Sequence, residues 1–195
     1  MEEAIISCRR AVPEDAQAIA ALAQQLQIRE GDDASTAAVH GFLLYAKPEE
    51  VYTQRLSISQ YCAVAEREGE IVGFLIAHDR GELEGLGESL RYPKALREYL
   101  FSLTYPHWIY IDQIAVHADL QHGGIGQHLY DFLHANAPES VLVACTTHDP
   151  IPNEASRNFF TKISGSDSLS FTIGSNCLPS TPPALLISSI AIRSA

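Results

Sequence analysis

Apolar positions recur along the chain with two periods, and the switches between them mark its elements. "IISCRRA" near the start reads as a short strand. In "PEDAQAIAALAQQL", Ala16, Ile19, Ala20, Ala23 and Leu26 share one helical face, and Pro13 suits a first turn. "TAAVHGFLLYA" and "PEEVYTQRLS" predict one or two further helices, the second opened by Pro48. "QYCAVAEREGEIVGFLIAHD" alternates, turns at Gly69–Glu70 and alternates again, which predicts an antiparallel hairpin. "RGELEGLGES" reads as loop and "PKALREYLFSL" as helix.

The second half is patterned more strongly. The strand "HWIYIDQIAV" runs into "DLQHGGIGQHL" and then a helix on which Ile125, Leu129, Phe132 and Leu133 share a face. "SVLVACTT" is a buried strand, "HDPIP" a stiff loop, and "NEASRNFFTKI" a helix with Asn153 placed to cap it. "SLSFTIG" and "ALLISSIAI" offer two last strands. The sum is a helix-decorated mixed sheet with a β–α–β–α stretch in the middle. A chain of 195 residues with 46% hydrophobic content fits one domain, here residues 1–195, with helical insertions near 29–60 and 80–107.

Three glycines in four positions, Gly123, Gly124 and Gly126, need a reason between a strand and a helix. The spacing is not the dinucleotide fingerprint GxGxxG, and Gln127–His128 stands where a phosphate loop has its Lys-Ser/Thr. What is left is Gln121-x-x-Gly124-x-Gly126 ahead of an amphipathic helix. The orphan amides of a first helical turn form an anion site, and glycine lets a phosphate approach without meeting a Cβ.

Composition removes other classes. A formal net charge of −11 argues against a nucleic-acid partner and is compatible with a cationic substrate. No apolar run is long enough to span a bilayer, and "MEEAIISCRR" lacks the order of a signal peptide, so the expected location is the cytoplasm. Cys8, Cys62, Cys145 and Cys177 form no CxxC pair and the histidines no HxxxH or HxH, so no metal is expected.

With these residues in view, "IYIDQIAVHADLQHGGIGQHLYDFL" resembles the coenzyme-binding motif of the GNAT superfamily of acyl-CoA N-acyltransferases. The hairpin at 60–79, "VLVACTT" and "NEASRNFFTKI" follow that family's order, and the similarity covers nearly all of the chain outside 29–60 and 80–107. The resemblance implies an α/β (α+β) fold: a mixed, mostly antiparallel sheet of about seven strands flanked by helices, splayed between the fourth and fifth strands. It implies acetyl-CoA as acyl donor, its diphosphate held by the backbone of Gln121, His122, Gly123, Gly124, Ile125, Gly126 and Gln127. Ile114, Ala115 and Val116 would bind the pantetheine on one side, and Asn153, Ser156, Phe159 and Phe160 would border it on the other.

Two positions depart from the family's pattern. Gln121 stands where Arg is common, and Phe160 where a tyrosine often protonates the leaving thiolate. Solvent, Tyr110 or His148 must then supply that proton. By resemblance to the family's polyamine acetyltransferases Asp112 is the expected base, and Tyr110 shares its face of the strand. The competing reading of Asp112 is a strand carboxylate that pairs an Arg or faces solvent.

The expected activity is transfer of an acetyl group to a primary amine of a small molecule, by direct attack, in a monomer or homodimer. The alternatives are a protein N-terminus or lysine as acceptor, or a module that senses acyl-CoA without turnover.

Overall fold

The computed structural model describes residues 5–29, 31–86, 94–138, 140–149, 151–164, 168–173 and 186–193. In chain order the elements are β1 (Ile6–Arg10), α1 (Ala16–Leu26), α2 (Ala34–His40), α3 (Glu49–Ile58), β2 (Ala63–Arg67) and β3 (Glu70–Asp79). There follow α4 (Arg80–Leu86), α5 (Lys94–Ser102), β4 (Trp108–Val116), α6 (Ile125–Asn136), β5 (Val141–Asp149), α7 (Glu154–Ser164), β6 (Ser168–Ile173) and β7 (Leu186–Arg193). The class is the mixed α/β sheet that the pattern predicts, mostly antiparallel as the family resemblance implies. The chain groups into two compact units of three segments each. One comprises Met1–Asp32, Phe42–His78 and Asp112–Pro138, the other Asp33–Gly41, Asp79–Ile111 and Glu139–Ala195.

In the first unit the strands are ordered β1-β2-β3-β4, with β1–β2 and β2–β3 antiparallel. Ile19 and Ala23 of α1 and Tyr52 and Leu56 of α3 bury against Val64, Phe74, Ile76 and Ala115. On the other face α6 comes so close that a Cβ on Gly73 would lie 3.1 Å from both the Ala115 carbonyl and Ile125. Because Gly73 and Phe74 are consecutive strand residues, α6 packs on the face opposite to α1 and α3. Arg9 pins β1 in place, donating to both oxygens of Asp15 (2.7 and 2.8 Å) and to Glu66 (2.6 Å).

In the second unit the order is β4-β5-β7-β6. β4 runs parallel to β5, Trp108 opposite Val141 through Ile111 opposite Ala144, and the ladder ends there. β5 continues antiparallel to β7 from Val141↔Arg193 to Asp149↔Leu186. Leu83 and Leu86 of α4, Leu96 and Leu100 of α5, Trp108, Tyr110 and Val143 form the core.

Four local expectations change. Part of the expected loop at 80–89 is helix α4, because Asp79 and Glu82 cap it reciprocally: the Glu82 N–H donates to Asp79 (2.8 Å) and the Asp79 N–H to Glu82 (3.1 Å). The helix expected across 36–46 stops at His40, since Gly41 takes a φ of +80°, and Leu43 instead bridges to Gln27. The hairpin turns one residue earlier, on Glu68 and Gly69, both at positive φ. His148 and Asp149 extend β5 rather than opening a loop. Among the described residues no helix is long and apolar enough to cross a membrane.

Candidate active site

The glycine stretch is built as a helix start with open amides. After β4 a short 3-10 turn, Ala118–Leu120, leads to His122 at φ +66° and Gly124 at φ +83°, the residue that caps α6. Gly124 turns the chain into the helix in the left-handed conformation, which glycine takes without strain. The first hydrogen bond into α6 runs from the His128 N–H to the Gly124 carbonyl (3.0 Å). The amides of Ile125, Gly126 and Gln127 therefore have no carbonyl within the helix to reach.

Around Gly124 there is open space: a Cβ there would meet nothing within 4 Å, whereas one on Gly123 would lie 3.2 Å from the Leu120 carbonyl. This cradle suits the diphosphate of a coenzyme. The Gln121 side chain reaches back 3.5 Å to the Val116 carbonyl, tying the turn to the end of β4. Asp112, Ile114 and Val116 alternate with the more buried Gln113 and Ala115 along that strand.

Asp112 sits in a charge cluster that no short motif announces. Its carboxylate accepts from Arg55, whose side chain is 1% exposed, and lies 3.5 Å from the Lys47 ammonium. Burial pushes the Asp112 carboxyl up, but the charges of Lys47, Arg55 and His78 and the Arg55 hydrogen bond outweigh it and hold it at about 2. A carboxylate so held is a weak proton acceptor.

Beside the cluster Tyr52 donates to the Gln113 side-chain oxygen (2.9 Å), and the Gln113 amide donates to the Tyr45 carbonyl (2.9 Å). Burial pushes the Tyr52 phenol up to about 12, so it stays protonated. Lys47, Arg55 and His78 are additions to the residues expected from sequence. One signal was available: Tyr52, Arg55 and Leu56 fall on one stripe of α3, and an arginine on a buried stripe requires an acid.

The other expected residues lie in the second unit. Tyr110 is 4% exposed, its ring within the leucine cluster, so it and Asp112 have different surroundings although they are two apart on one strand. The side chain of His148 lies outside the described residues. Asn153 is buried and caps α7: its side-chain oxygen accepts from the Ser156 N–H (3.1 Å), and its own N–H donates to the Thr147 carbonyl (2.9 Å). Phe160 is buried and meets the half-buried Phe159 edge to face at 5.2 Å. Among the described residues no group of three or more His, Cys, Asp and Glu is placed to hold a metal.

A mixed sheet whose fourth strand leads through a glycine cap into a helix with open first-turn amides defines the α/β class of this protein. The chain belongs to the acetyltransferase (GNAT) family, whose model matches residues 31–165. Comparison with curated proteins finds no match. Among solved structures it is similar to the diaminobutyrate acetyltransferase EctA of Paenibacillus lautus, solved with L-2,4-diaminobutyric acid and coenzyme A (18% identity, 97% of this chain and 96% of that one, TM-score 0.61). It is also similar to the polyamine N-acetyltransferase of Drosophila melanogaster (15%, 97% and 100%, 0.63). A third similar structure is Arabidopsis thaliana Naa50 with a bisubstrate analogue (11%, 95% and 97%, 0.58).

Proposed function

We propose that the protein is a cytoplasmic N-acetyltransferase that moves the acetyl group of acetyl-CoA to a primary amine of a small molecule. The observation that carries this is the left-handed Gly124 cap with the open amides of Ile125–Gln127 behind it, in a chain of this family. Within Gln121–Gln127 the N–H groups of His122, Gly124, Ile125, Gly126 and Gln127 hold the diphosphate, since those of Gln121 and Gly123 donate to the Ala118 and Leu120 carbonyls (both 3.4 Å). The backbone of Ile114, Ala115 and Val116 orients the pantetheine and thioester. Bound acetyl-CoA supplies an activated acyl carbon. The similar Paenibacillus and Drosophila structures are enzymes of small amines, which favours that acceptor class.

Asp112 has a different role from the base expected of it. Its carboxylate, at about 2 and held by Arg55 and Lys47, positions the Lys47 side chain, and the amine loses its proton through water. Phe160 has no proton to give, and Tyr110 is enclosed by leucines, so thiolate protonation falls to solvent.

The test is steady release of thiol from acetyl-CoA with a panel of primary amines. Saturable release that requires an amine is expected. The clamped Asp112 and the phenylalanine at 160 favour one other reading, a sensor that binds acyl-CoA without turnover. Coenzyme binding with no release from any amine would establish that reading instead.

A further inference from the structure

The cradle's amides are neighbours in sequence, but both ends of the turn that presents them rest on β3. Along the hairpin Ala65 faces Gly73 while the next residue, Glu66, faces Ile71, so Val72 is left over as a β-bulge. The Val72 carbonyl accepts from the His117 N–H (2.8 Å), where β4 has ended and the turn of Ala118–Leu120 begins. Gly73, the next residue, meets the other end of the turn. A Cβ there would lie 3.1 Å from Cγ2 of Ile125, the first residue of α6, 3.3 Å from Cδ1 of Leu129 and 3.1 Å from the Ala115 carbonyl. Gly73 is not among the glycines at positive φ, so what its position requires is space.

Two consecutive residues of β3 thus hold His117 and Ile125, and residues 118–124 are strung between them. The later bonds of that turn, from the Gln121 and Gly123 N–H groups, are long at 3.4 Å each, so its shape depends on where its ends are fixed. An anion held by several N–H groups at once needs them to converge. Charge-assisted bonds are about 2.7–2.9 Å long, and a binding site tolerates errors of about 0.5 Å. A Cβ at 3.1 Å forces its neighbours to give by a few tenths of an ångström, which is on that scale. The Ala115 carbonyl is fixed in the sheet, so the displacement falls on the first turn of α6.

We propose that Val72 and Gly73 are positioning residues of the coenzyme site, acting through His117 and Ile125 to set where the α6 amides stand relative to the end of β4. This rests on the coenzyme reading of the cradle. The experiment is calorimetric titration with coenzyme A of the native protein, Gly73→Ala, Gly73→Ala/Ile125→Leu and Ile76→Val.

Gly73→Ala should weaken binding about three- to tenfold, since a misplacement of about 1 Å costs about a hundredfold. Leucine has one γ carbon where isoleucine has two, so the double variant should bind more tightly than Gly73→Ala alone. Ile76→Val, on the face of β3 that packs with α1 and α3, should lower the melting temperature and keep native affinity. Native affinity in folded Gly73→Ala would overturn the proposal. So would an equal loss in Ile76→Val, which would tie affinity to stability alone, or no recovery in the double variant. Should Gly73→Ala not fold, the crystal structure of the native protein with coenzyme A decides. It should keep the Val72–His117 hydrogen bond and the seat of Ile125 on Gly73, and a shift of α6 from β3 by about 1 Å or more would overturn the proposal. No binding of coenzyme A by the native protein would remove the coenzyme reading and this inference with it. Native binding that Gly73→Ala leaves intact would remove this inference alone.

Discussion

A buried arginine defines the chemistry at the scale of single residues. Arg55 is almost wholly enclosed and reaches Asp112 across 57 positions of sequence. Asp112→Asn removes the charge that compensates it, and breaking such a pair costs about 3–5 kcal/mol, which denaturant unfolding should show. Asp112 also gives stability a pH dependence of definite sign. Its folded-state pKa lies below the unfolded value, so its contribution is complete above about pH 4. That contribution is lost as pH falls toward about 2, where the folded carboxyl takes its proton. Unfolding free energy should therefore decline over that window in the native protein and less steeply in Asp112→Asn. The same variant separates positioning from base catalysis. A base is dispensable once the amine is neutral, near pH 10. We expect Asp112→Asn to lower kcat/KM by equal factors at pH 7 and pH 10, measured per folded molecule. A loss that shrinks at pH 10 would restore the carboxylate as the base.

Among the elements, those with a strong period were legible and those decided by distant partners were not. α1, β4, α6 and α7 stand where the apolar spacing puts them, and the hairpin and β5 are present with a turn one residue earlier and an end two residues later. The Asn153 cap of α7 is a local signal that the structure repeats in hydrogen bonds. α4 was missed because its glycines read as loop, although Asp79-x-x-Glu82 spells a capping box and Leu83 and Leu86 are buried. The candidate site divides in the same way. The cradle is a strand–glycine–helix sequence, so it can be read locally. The Asp112 cluster is assembled from α3, β3, β4 and the segment before α3, and no local spacing encodes that meeting. The cradle itself can be tested at Gly124. Valine at φ +83° costs about 1–2 kcal/mol in any fold, whereas asparagine tolerates that conformation. Its Cβ would meet no protein atom. Gly124→Asn should therefore keep the wild-type melting temperature to within a degree or two and bind acetyl-CoA several-fold more weakly, because the side chain occupies the anion's approach. Unchanged affinity by titration in that variant would move the phosphates away from α6.

For the whole molecule, the question is how a ligand held by one short segment affects the stability of the entire chain. The chain passes repeatedly from one compact unit to the other, three segments in each, and β4 supplies its first residues to one and its last to the other. Neither unit is a continuous piece of sequence that could fold while the rest of the chain is unmade. Heat should therefore unfold the protein in one calorimetric transition. Acetyl-CoA bound only to the native state adds RT ln(1 + [L]/Kd), about 2.7 kcal/mol at a hundredfold excess over Kd. For a chain of this length each kcal/mol moves the midpoint by about 2–4 °C, so the shift should be about 5–11 °C. The single peak should move as a whole. A melt that splits, with one component fixed and the other rising with coenzyme, would mean that the units unfold separately. The rising component would then be the unit that carries Gln121–Gln127. A melt that does not move at all with millimolar acetyl-CoA would mean that the open amides of α6 hold something other than this coenzyme.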